Sequence, residues 1–440
     1  MIIFPATLSA GEAMPLTVNA AVARAMQANR QVLARHRAVD AADARTQQAR
    51  SARLPQVSWQ TSVLRSNAPL TAFGSRLSQQ AITAADFAPS RLNYPAAITQ
   101  YQHRLVLDVP IYHGGALSAG VAQAEANRDV QQAVVLQTQQ QIIFQVITAY
   151  SQALRAQHAT TVAKQALKAA TAHVNTAQQM LDKGMLLKSD VMDAEVHRLN
   201  AEVVVTQAEH RYQDAEDQLR QLLAWDNHQP LALAPWSGSA TEQSRKNVAY
   251  WQQQAVSNRP ELKTMHHQLS VLAATKQRTE ASFRPTLGLQ VAQEWHNNSL
   301  TPQHGNTTVM AALQWNIFAG GADRAAYQAA EADEAGQMLA WKDQAQKIAV
   351  QVRSALRQRE ETKSRLSVRQ QAQKQAQESL RIHRVRFAQG MENINTMLDA
   401  QTRLDQAAAS VVQARFDHQM AAVQLLLSAG MLKPTSFSHP

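Results

Sequence analysis

The stretch Pro110-Ile111-Tyr112-His113-Gly114-Gly115 returns 206 positions later as Asn316-Ile317-Phe318-Ala319-Gly320-Gly321. In both copies a strand-like segment precedes the glycine pair, and a long run of helix-forming residues follows it. Each stretch is therefore interpreted as a junction at which a strand ends and a helix begins. Two junctions of one kind indicate an internal duplication, which has to be considered before any other interpretation of the fold.

The duplication extends well beyond the two junctions. The same shift of 206 positions, with no gap, matches Gly184-Met185 with Gly390-Met391 and Asp193-Ala194 with Asp399-Ala400. Upstream of the junctions the shift is 230, because Leu54-Pro55 corresponds to Arg284-Pro285. The change of shift places 24 additional residues in the first repeat, between its first strand and Gly114.

Two very long helices follow the junctions. Residues 111–229 and 303–433 contain no proline and are rich in Ala, Gln, Leu, Glu, Arg and Lys. Residues 116–183 and 322–389 are each predicted to form a helix, which would extend about 100 Å if straight. An ordinary globular domain is narrower than this.

Four segments show the alternation of apolar and polar residues that is typical of strands. They are predicted at about 56–64, 101–110, 286–295 and 308–316. Their lengths suit a tilted crossing of a bilayer, although alternation alone also fits a sheet in a soluble protein. Four strands cannot close a barrel, and an unpaired sheet edge in lipid costs several kcal/mol per backbone group. Membrane strands would therefore be shared between copies of the chain, and three copies would supply about 12 strands.

The sequence thus predicts a mainly α-helical protein with a membrane β part, built from a duplicated helix–strand–strand–helix repeat. Long helices would form an α-helical barrel, and four strands per chain would join a trimeric 12-strand β-barrel. The predicted parts are a leader remnant or disordered N-terminus (1–15), the first repeat (16–225), an inter-repeat linker or equatorial segment (226–247), the second repeat (248–430) and a C-terminal tail (431–440). Within each repeat, the helix before the strands is predicted as one element, over 16–53 and 248–283.

Composition argues against several other functions. The net charge is +10, but the basic residues are scattered and form no compact block with interleaved aromatics, so we expect no nucleic-acid partner. There is no cysteine, and the 15 histidines show no metal-ligand spacing such as HExxH. No phosphate-binding glycine loop or serine nucleophile elbow occurs. We therefore expect no metal site, no cofactor and no enzymatic activity.

These ordered, duplicated motifs resemble those of the TolC-like outer-membrane efflux family, over about residues 16–430. Both strand-to-helix junctions resemble that family's, as do the two helical-hairpin tips at Lys183-Gly184 to Asp193-Ala194 and Arg386-Phe387 to Asp399-Ala400. The stretch Phe73-Gly74-Ser75-Arg76-Leu77 resembles an external loop of some members.

The resemblance implies a homotrimer in the outer membrane of a Gram-negative bacterium, in contact with lipid and carrying a periplasmic helical tunnel. It implies passive export in a tripartite efflux or type I secretion system. The implied partners are a periplasmic adaptor (membrane fusion) protein and an inner-membrane pump of the RND or ABC type. The cargo stays open: a drug, a metal or a protein.

The resemblance also suggests where the tunnel closes, at the hairpin of the second repeat. The matching candidates there are Asp399, Thr396 and Glu392, and the first repeat offers Asp190 and Asp193. One carboxylate per chain would form a ring of three that attracts cations. Each has a simpler alternative as a solvated or helix-capping residue, and Asp190 in particular is a candidate cap.

The isolated glycines have a structural interpretation first. Gly184 and Gly390 are predicted to mark the hairpin breaks, and the residues beside them are candidates for adaptor docking by resemblance. A soluble periplasmic coiled-coil adaptor or structural protein is the alternative function. Such adaptors have one hairpin flanked by β-rich domains, whereas this chain has two equal repeats, each with two strands.

Overall fold

The computed structural model describes residues 15–226, 231–236 and 246–434. The predicted leader segment lies outside this range except for its last residue. The predicted linker is described only in part, and so is the predicted C-terminal tail.

The described chain is mainly helical and contains four strands, which confirms the predicted fold class. The helices are α1 Val18–Ala28, α2 Arg30–Ser51, α3 Pro69–Ser78, α4 Pro89–Asn93, α5 Ala116–Asp182, α6 Lys188–Leu223, α7 Val248–Asn258, α8 Pro260–Glu280, α9 Ala322–Ala388 and α10 Ile394–Ser428. The strands are β1 Gln56–Ser66, β2 Ile98–His113, β3 Thr286–Asn297 and β4 Gly305–Gln314. Short 3-10 turns cover Ala84–Phe87 and Ala281–Phe283. None of the helices described is long and apolar enough to cross a membrane.

The helix that precedes the strands is interrupted in both repeats, whereas the sequence predicts one helix each time. Asn29 separates α1 from α2, and Arg259 separates α7 from α8, each with an extended backbone (ψ 123° and 120°). Pro260 follows Arg259 and disfavours a helical conformation there. The Asn29 side chain accepts the backbone N–H of Gln31 at 2.9 Å, which starts α2 as an N-cap does.

The chain divides into two compact units, and the first, here called the helical unit, comprises the described residues of 1–38, 131–264 and 341–440. Its main core contains large side chains from α1, α5, α6, α7, α9 and α10, among them the fully buried Trp251, Ile147 and Ile348. The Tyr150 hydroxyl lies 2.7 Å from the Leu16 carbonyl and 2.6 Å from the Ala234 carbonyl, and burial raises its pKa to about 12. A smaller apolar cluster packs beside the hairpin ends.

The second unit, the sheet unit, comprises residues 39–130 and 265–340. Its sheet is antiparallel in the order β1-β2-β3-β4. The two repeats pair in the same register: Val57 lies opposite Leu107, and their equivalents Leu287 and Leu313 also lie opposite each other. The connection from β1 to β2 has 31 residues and that from β3 to β4 has 7, which accounts for the 24 additional residues of the first repeat.

Candidate functional site

The pairing register assigns the sheet two chemically distinct faces, because cross-strand partners share a face and neighbours along a strand do not. The apolar face carries Val57, Trp59, Val63, Leu105, Leu107, Leu289, Val291, Val309, Ala311 and Leu313, together with the polar Thr61, His103, Gln293 and Thr307. The polar face carries Ser58, Gln60, Gln102, Arg104, Asp108, Gln290, Glu294 and Thr308, together with the apolar Leu64, Val106, Ala292, Met310 and Ala312. This division is the pattern of a sheet with lipid on one side and water on the other.

Charged groups on the polar face pair across the two central strands. Arg104 Nε lies 3.0 Å from Glu294 Oε1, and Gln290 Nε2 donates to Asp108 Oδ1 at 2.7 Å. Both contacts join β2 of the first repeat to β3 of the second. The repeats are thus connected by side chains as well as by the backbone ladder.

The outer strands have no such partner on their free sides. Every side chain of β4 is exposed, and so is every side chain of β1 except Ser66. In the part of the chain that the structure describes, no strand pairs with the second edge of β1 or of β4. The sheet therefore ends in two unsatisfied edges with several exposed apolar side chains.

The four junction glycines all have positive φ, from 61° to 97°, which favours glycine. Their surroundings differ between the repeats. A Cβ on Gly114 would lie 2.6 Å from the Ala281 carbonyl oxygen, so this position admits no side chain. A Cβ on Gly320 or Gly321 would meet nothing within 4 Å. The first junction thus packs against the residues that precede β3, whereas nothing packs against the second junction among the described residues.

The helical unit contains the two predicted hairpin breaks, and they have one geometry. Gly184 and Gly390 have φ values of 72° and 70°. At the first break Gly184 N–H donates to Leu181 and Met185 N–H donates to Met180. The equivalent bonds form at the second break, from Gly390 and its successor. Both are glycine C-caps that end a long helix before the chain turns into the next one.

The carboxylates predicted at the hairpin ends lie in different environments. Asp190 accepts the Leu187 backbone N–H at 3.0 Å in the first turn of α6, which is a capping contact. Asp193 accepts from the Asn395 side-chain amide at 3.2 Å, so it joins α6 to α10. Asp399 is exposed and has no hydrogen bond to any described residue.

The two other candidates are held by neighbours in their own hairpin. Glu392 Oε2 lies 2.8 Å from His383 Nδ1, and both side chains are largely buried. Thr396 donates its backbone N–H and its hydroxyl to the N-cap residue Asn393, at 2.9 and 2.8 Å. The structure thus brings Asp193 to the second hairpin, but it does not bring the five candidates into a single cluster.

A buried polar node lies near the hairpin ends, and the sequence analysis missed it. Gln401 is buried on α10, and its Oε1 accepts from Arg384 Nη2 at 2.8 Å and lies 3.4 Å from His173 Nε2. Its Nε2 donates to Asp405 Oδ1 at 2.9 Å. The node therefore ties α10 to α5 and to α9. A sequence signal existed, because Gln401 follows Ile394 and Leu398 at the spacing of a buried helix face.

The node contains titratable groups with displaced pKa values. Burial lowers the pKa of His173, and the nearby positive charge of Arg384 lowers it further, while the hydrogen bond to Gln401 acts in the opposite direction. Burial raises the pKa of Asp405, against the hydrogen bond from Gln401 and the charge of Arg384. His173 is thus held neutral, and Asp405 retains a proton more readily than an exposed aspartate.

Among the residues described, no group of three or more His, Asp or Glu side chains is placed to hold a metal ion. The distinctive features of the chain are structural instead. They are a two-faced sheet with open edges, two glycine-capped hairpins and a polar node between the helices.

Comparison with known proteins gives one family. The family described as "Outer membrane efflux protein" matches residues 21–224 and 251–431. The chain is similar to the alkaline protease secretion protein AprF of Pseudomonas aeruginosa, with 22% identity over 365 residues that cover 80% of this chain and 73% of AprF.

Solved structures share the fold. A structure of CusC has a TM-score of 0.80 at 17% identity, covering 94% of this chain and 92% of that one. The outer membrane protein VceC of Vibrio cholerae has a TM-score of 0.76 at 15% identity, covering 94% of this chain and 96% of that one. At these identities the likeness concerns the fold alone.

Proposed function

The chain belongs to the outer membrane efflux protein family, and we propose that three copies of it form a passive export duct across the outer membrane. The protein is an outer-membrane channel subunit with a periplasmic helical part. The observation that carries the trimeric arrangement is the pair of unsatisfied edges on β1 and β4, together with the two-faced sheet. In lipid each unpaired backbone group costs several kcal/mol, and pairing with further copies removes that cost.

The internal repeat specifies how the edges meet. Because β1 corresponds to β3 and β2 to β4, the β2–β3 pairing has an equivalent between β4 and β1 of a second copy. Leu105 lies opposite Gln293 in β2–β3. The shifts of 206 and 230 positions convert this pair into Ala311 opposite Val63 of the partner subunit. Repetition of this contact closes a ring of strands with the polar faces inside.

The helical unit supports the same arrangement. The exposed apolar residues Met192, Val196, Leu199 and Val203 form a stripe along α6 at intervals of three and four residues. The stripe lies opposite the buried face of that helix, which includes Ala194, Ala208 and Leu219. Val350, Val368 and Ile382 are exposed in the same way on α9. Neighbouring copies would cover both helices.

The power for export would come from elsewhere, because the proposed duct is passive and the chain is proposed to have no enzymatic activity. We therefore place the protein with a periplasmic adaptor and an inner-membrane pump of the RND or ABC type. Membership of the outer membrane efflux protein family and similarity to a protein named for protease secretion support this placement. The glycine-capped hairpin ends around Gly184 and Gly390 are the proposed contact for the adaptor.

Cross-linking tests the ring directly, because the chain has no cysteine of its own. We expect Ala311→Cys combined with Val63→Cys to form disulfides between copies, since paired strands bring Cα atoms to about 4.5–5.5 Å. Oxidised membranes should then yield a covalent trimer in denaturing gels. Val57→Cys with Ala311→Cys is the matched control, because Val57 lies on the same face about 20 Å further along the strand. Absence of the cross-link, or equal cross-linking in the control, would contradict the arrangement.

We also propose that Asp399 contributes a ring of carboxylates at the constricted hairpin end. Its exposure and its lack of a partner among the described residues support this role. Single-channel recording of Asp399→Ala should show a higher conductance or a weaker block by divalent cations. Asp343→Ala is the control, because Asp343 is exposed on α9 and pairs with Lys347 in its own helix. An unchanged channel would remove Asp399 from the gate.

A further inference from the structure

The connection between β1 and β2 contains an ordered structure that the repeat does not require. It is 24 residues longer than its counterpart between β3 and β4, and it folds into α3, a 3-10 turn and α4. The buried Gln79 anchors it, because its side-chain amide donates to the Thr99 carbonyl at 3.0 Å. We call residues 67–97 the loop cap.

The loop cap has a buried carboxylate at its centre. Asp86 is only 5% exposed, and it accepts the backbone N–H and the hydroxyl of Thr83, both at 2.8 Å. Arg76 Nη1 lies 3.0 Å and Arg91 Nη1 lies 3.6 Å from its Oδ1. The hydrogen bonds from Thr83 lower the pKa of Asp86, so it stays ionised and holds both guanidinium groups in place.

A cavity of about 370 Å³ opens beside these charges. It is lined by Ala72, Phe73, Arg76, Asp86, Arg91, Tyr94, Pro95 and Ala96. Two arginines face one carboxylate, which leaves an excess positive charge. Arg76 and Arg91 are 39% and 61% exposed, and each directs one nitrogen at Asp86, so most of their N–H donors remain available.

The surroundings of the cavity are apolar and exposed. Leu70 and Tyr94 are 86% and 87% exposed, and Leu77 and Phe87 are also exposed. The loop cap joins the end of β1 at Ser66 to the start of β2 at Ile98, and the opposite end of β2, at His113, leads to the first glycine junction. Exposed leucines and aromatics next to arginines are typical of a segment at a membrane–water interface.

From this juxtaposition we propose that the cavity between α3 and α4 binds the phosphate of an outer-leaflet lipid through Arg76 and Arg91. Phe73, Tyr94 and Pro95 would contact the apolar part of the same molecule. A guanidinium fork matches phosphate geometry, and the excess charge of the cavity suits an anion. This proposal rests on the proposed outer-membrane location, with the loop cap at the outer surface.

The test uses the full chain in a non-ionic detergent, with trimer cross-linking measured in parallel. The probes are lipid A with both phosphates, the same lipid without phosphates, and inorganic phosphate. We expect lipid A to bind, and we expect the phosphate-free lipid to bind at least ten-fold more weakly. An excess of inorganic phosphate should leave lipid A bound. Full displacement by inorganic phosphate would show a free-anion site and overturn the lipid proposal.

Variants locate the site. Arg91→Gln should weaken lipid A binding at least ten-fold, and Arg91→Lys should recover part of the loss. Arg65→Gln is the matched control, because Arg65 is exposed at the end of β1 just outside the loop cap. It should change binding less than two-fold, and an equal loss would indicate non-specific attraction and overturn the proposal.

Two further measurements check that the loop cap is folded in the variants and whether its arginines act on the pore instead of on lipid. Limited proteolysis should show that Arg91→Gln retains the loop cap, whereas Arg76→Gln is expected to loosen it because Asp86 loses its closer partner. If Arg91→Gln alters the channel conductance and leaves lipid A binding unchanged, the arginines face the pore and the proposal is wrong. Failure of trimer cross-linking with intact lipid binding would contradict the assembly alone.

Discussion

The inner seam of the sheet, where β2 meets β3, differs sharply from its outer edges at β1 and β4. At the inner seam a backbone ladder joins the two strands, with one bulge between Pro110 and Tyr112. Arg104 pairs there with Glu294, and Gly114 packs against the Ala281 carbonyl. At the outer edges nearly all side chains are exposed, and a Cβ on Gly320 would meet nothing within 4 Å. The two repeats pair their strands in the same register. The seam and the edges therefore differ because β2 and β3 are central in the sheet and β1 and β4 are at its edges. Within the described residues, one chain contains two repeats and one repeat-to-repeat seam, and in the proposed assembly another copy supplies the second seam.

The two faces of β4 offer the strongest test of this comparison. Val309→Lys puts a charge on the apolar face at mid-strand and should cost about 2–4 kcal/mol per chain if that face meets lipid. We expect the variant to fail to reach the outer membrane, as measured by membrane fractionation. Thr308→Lys is the matched control, because the neighbouring residue projects from the polar face. The control should insert normally. If both variants are lost from the outer membrane to the same extent, the two faces do not contact lipid and water respectively.

The junction glycines test whether the outer edge becomes a seam in the assembly. Gly114→Ala combines an unfavourable positive φ with a contact of 2.6 Å, and we expect a loss of about 2–3 kcal/mol. In an isolated chain Gly320→Ala would suffer only the φ strain, about 1–2 kcal/mol. If a partner subunit packs there, both variants should lower the unfolding temperature of the trimer equally. A clearly smaller effect at Gly320 would argue for an open junction.

The sequence predicted the fold well where periodicity and repetition act together. The two 67-residue helices begin at the residues expected after Gly115 and Gly321, and they end before Gly184 and Gly390. The interruptions at Asn29 and Arg259 were missed. Pro260 is a sequence signal for the second interruption, whereas the residues around Asn29 still favour a helix. The ordered loop cap was seen only as additional length.

The candidate site was less predictable. The family motif directs attention to Asp399 and Asp190, whereas the buried Gln401 contacts residues up to 228 positions away. A contact of that kind depends on how three helices, α5, α9 and α10, are placed around one another. Single-helix spacing shows only that a polar residue stands on a buried face.

Gln401 provides a test inside the helical unit, where the buried node connects three helices of one chain. Gln401→Leu removes the partner of Arg384, His173 and Asp405 at once, and unpaired buried groups cost about 1–3 kcal/mol. We expect a lower denaturant midpoint in guanidinium unfolding followed by helical circular dichroism. Gln406→Leu is the control on the exposed side of α10 and should change the midpoint little. If Gln401→Leu is as stable as the wild type, the node does not stabilise the packing of α5, α9 and α10.

The smallest expected effect is the pH dependence of stability, and it distinguishes the buried node from the exposed helix faces. The folded pKa of His173 lies below its ordinary value, so its contribution to stability is present above that value, near 6.5, and is lost as the pH falls through the lowered pKa. Asp405 acts with the opposite sign, because its folded pKa is raised and its contribution is lost as the pH rises. Acidification from pH 7.5 to 5.5 should therefore lower the free energy of unfolding through His173, by at most about 1.4 kcal/mol per pH unit. The unfolding temperature should fall with it.

His173→Gln keeps a hydrogen-bonding group but cannot titrate, so the variant should lose less stability than the wild type over that interval. His210→Gln is the matched control, because His210 is exposed on α6. It should show the same pH dependence as the wild type. If His173→Gln also follows the wild-type curve, the acid sensitivity arises elsewhere, and the node binds the helices without sensing protons.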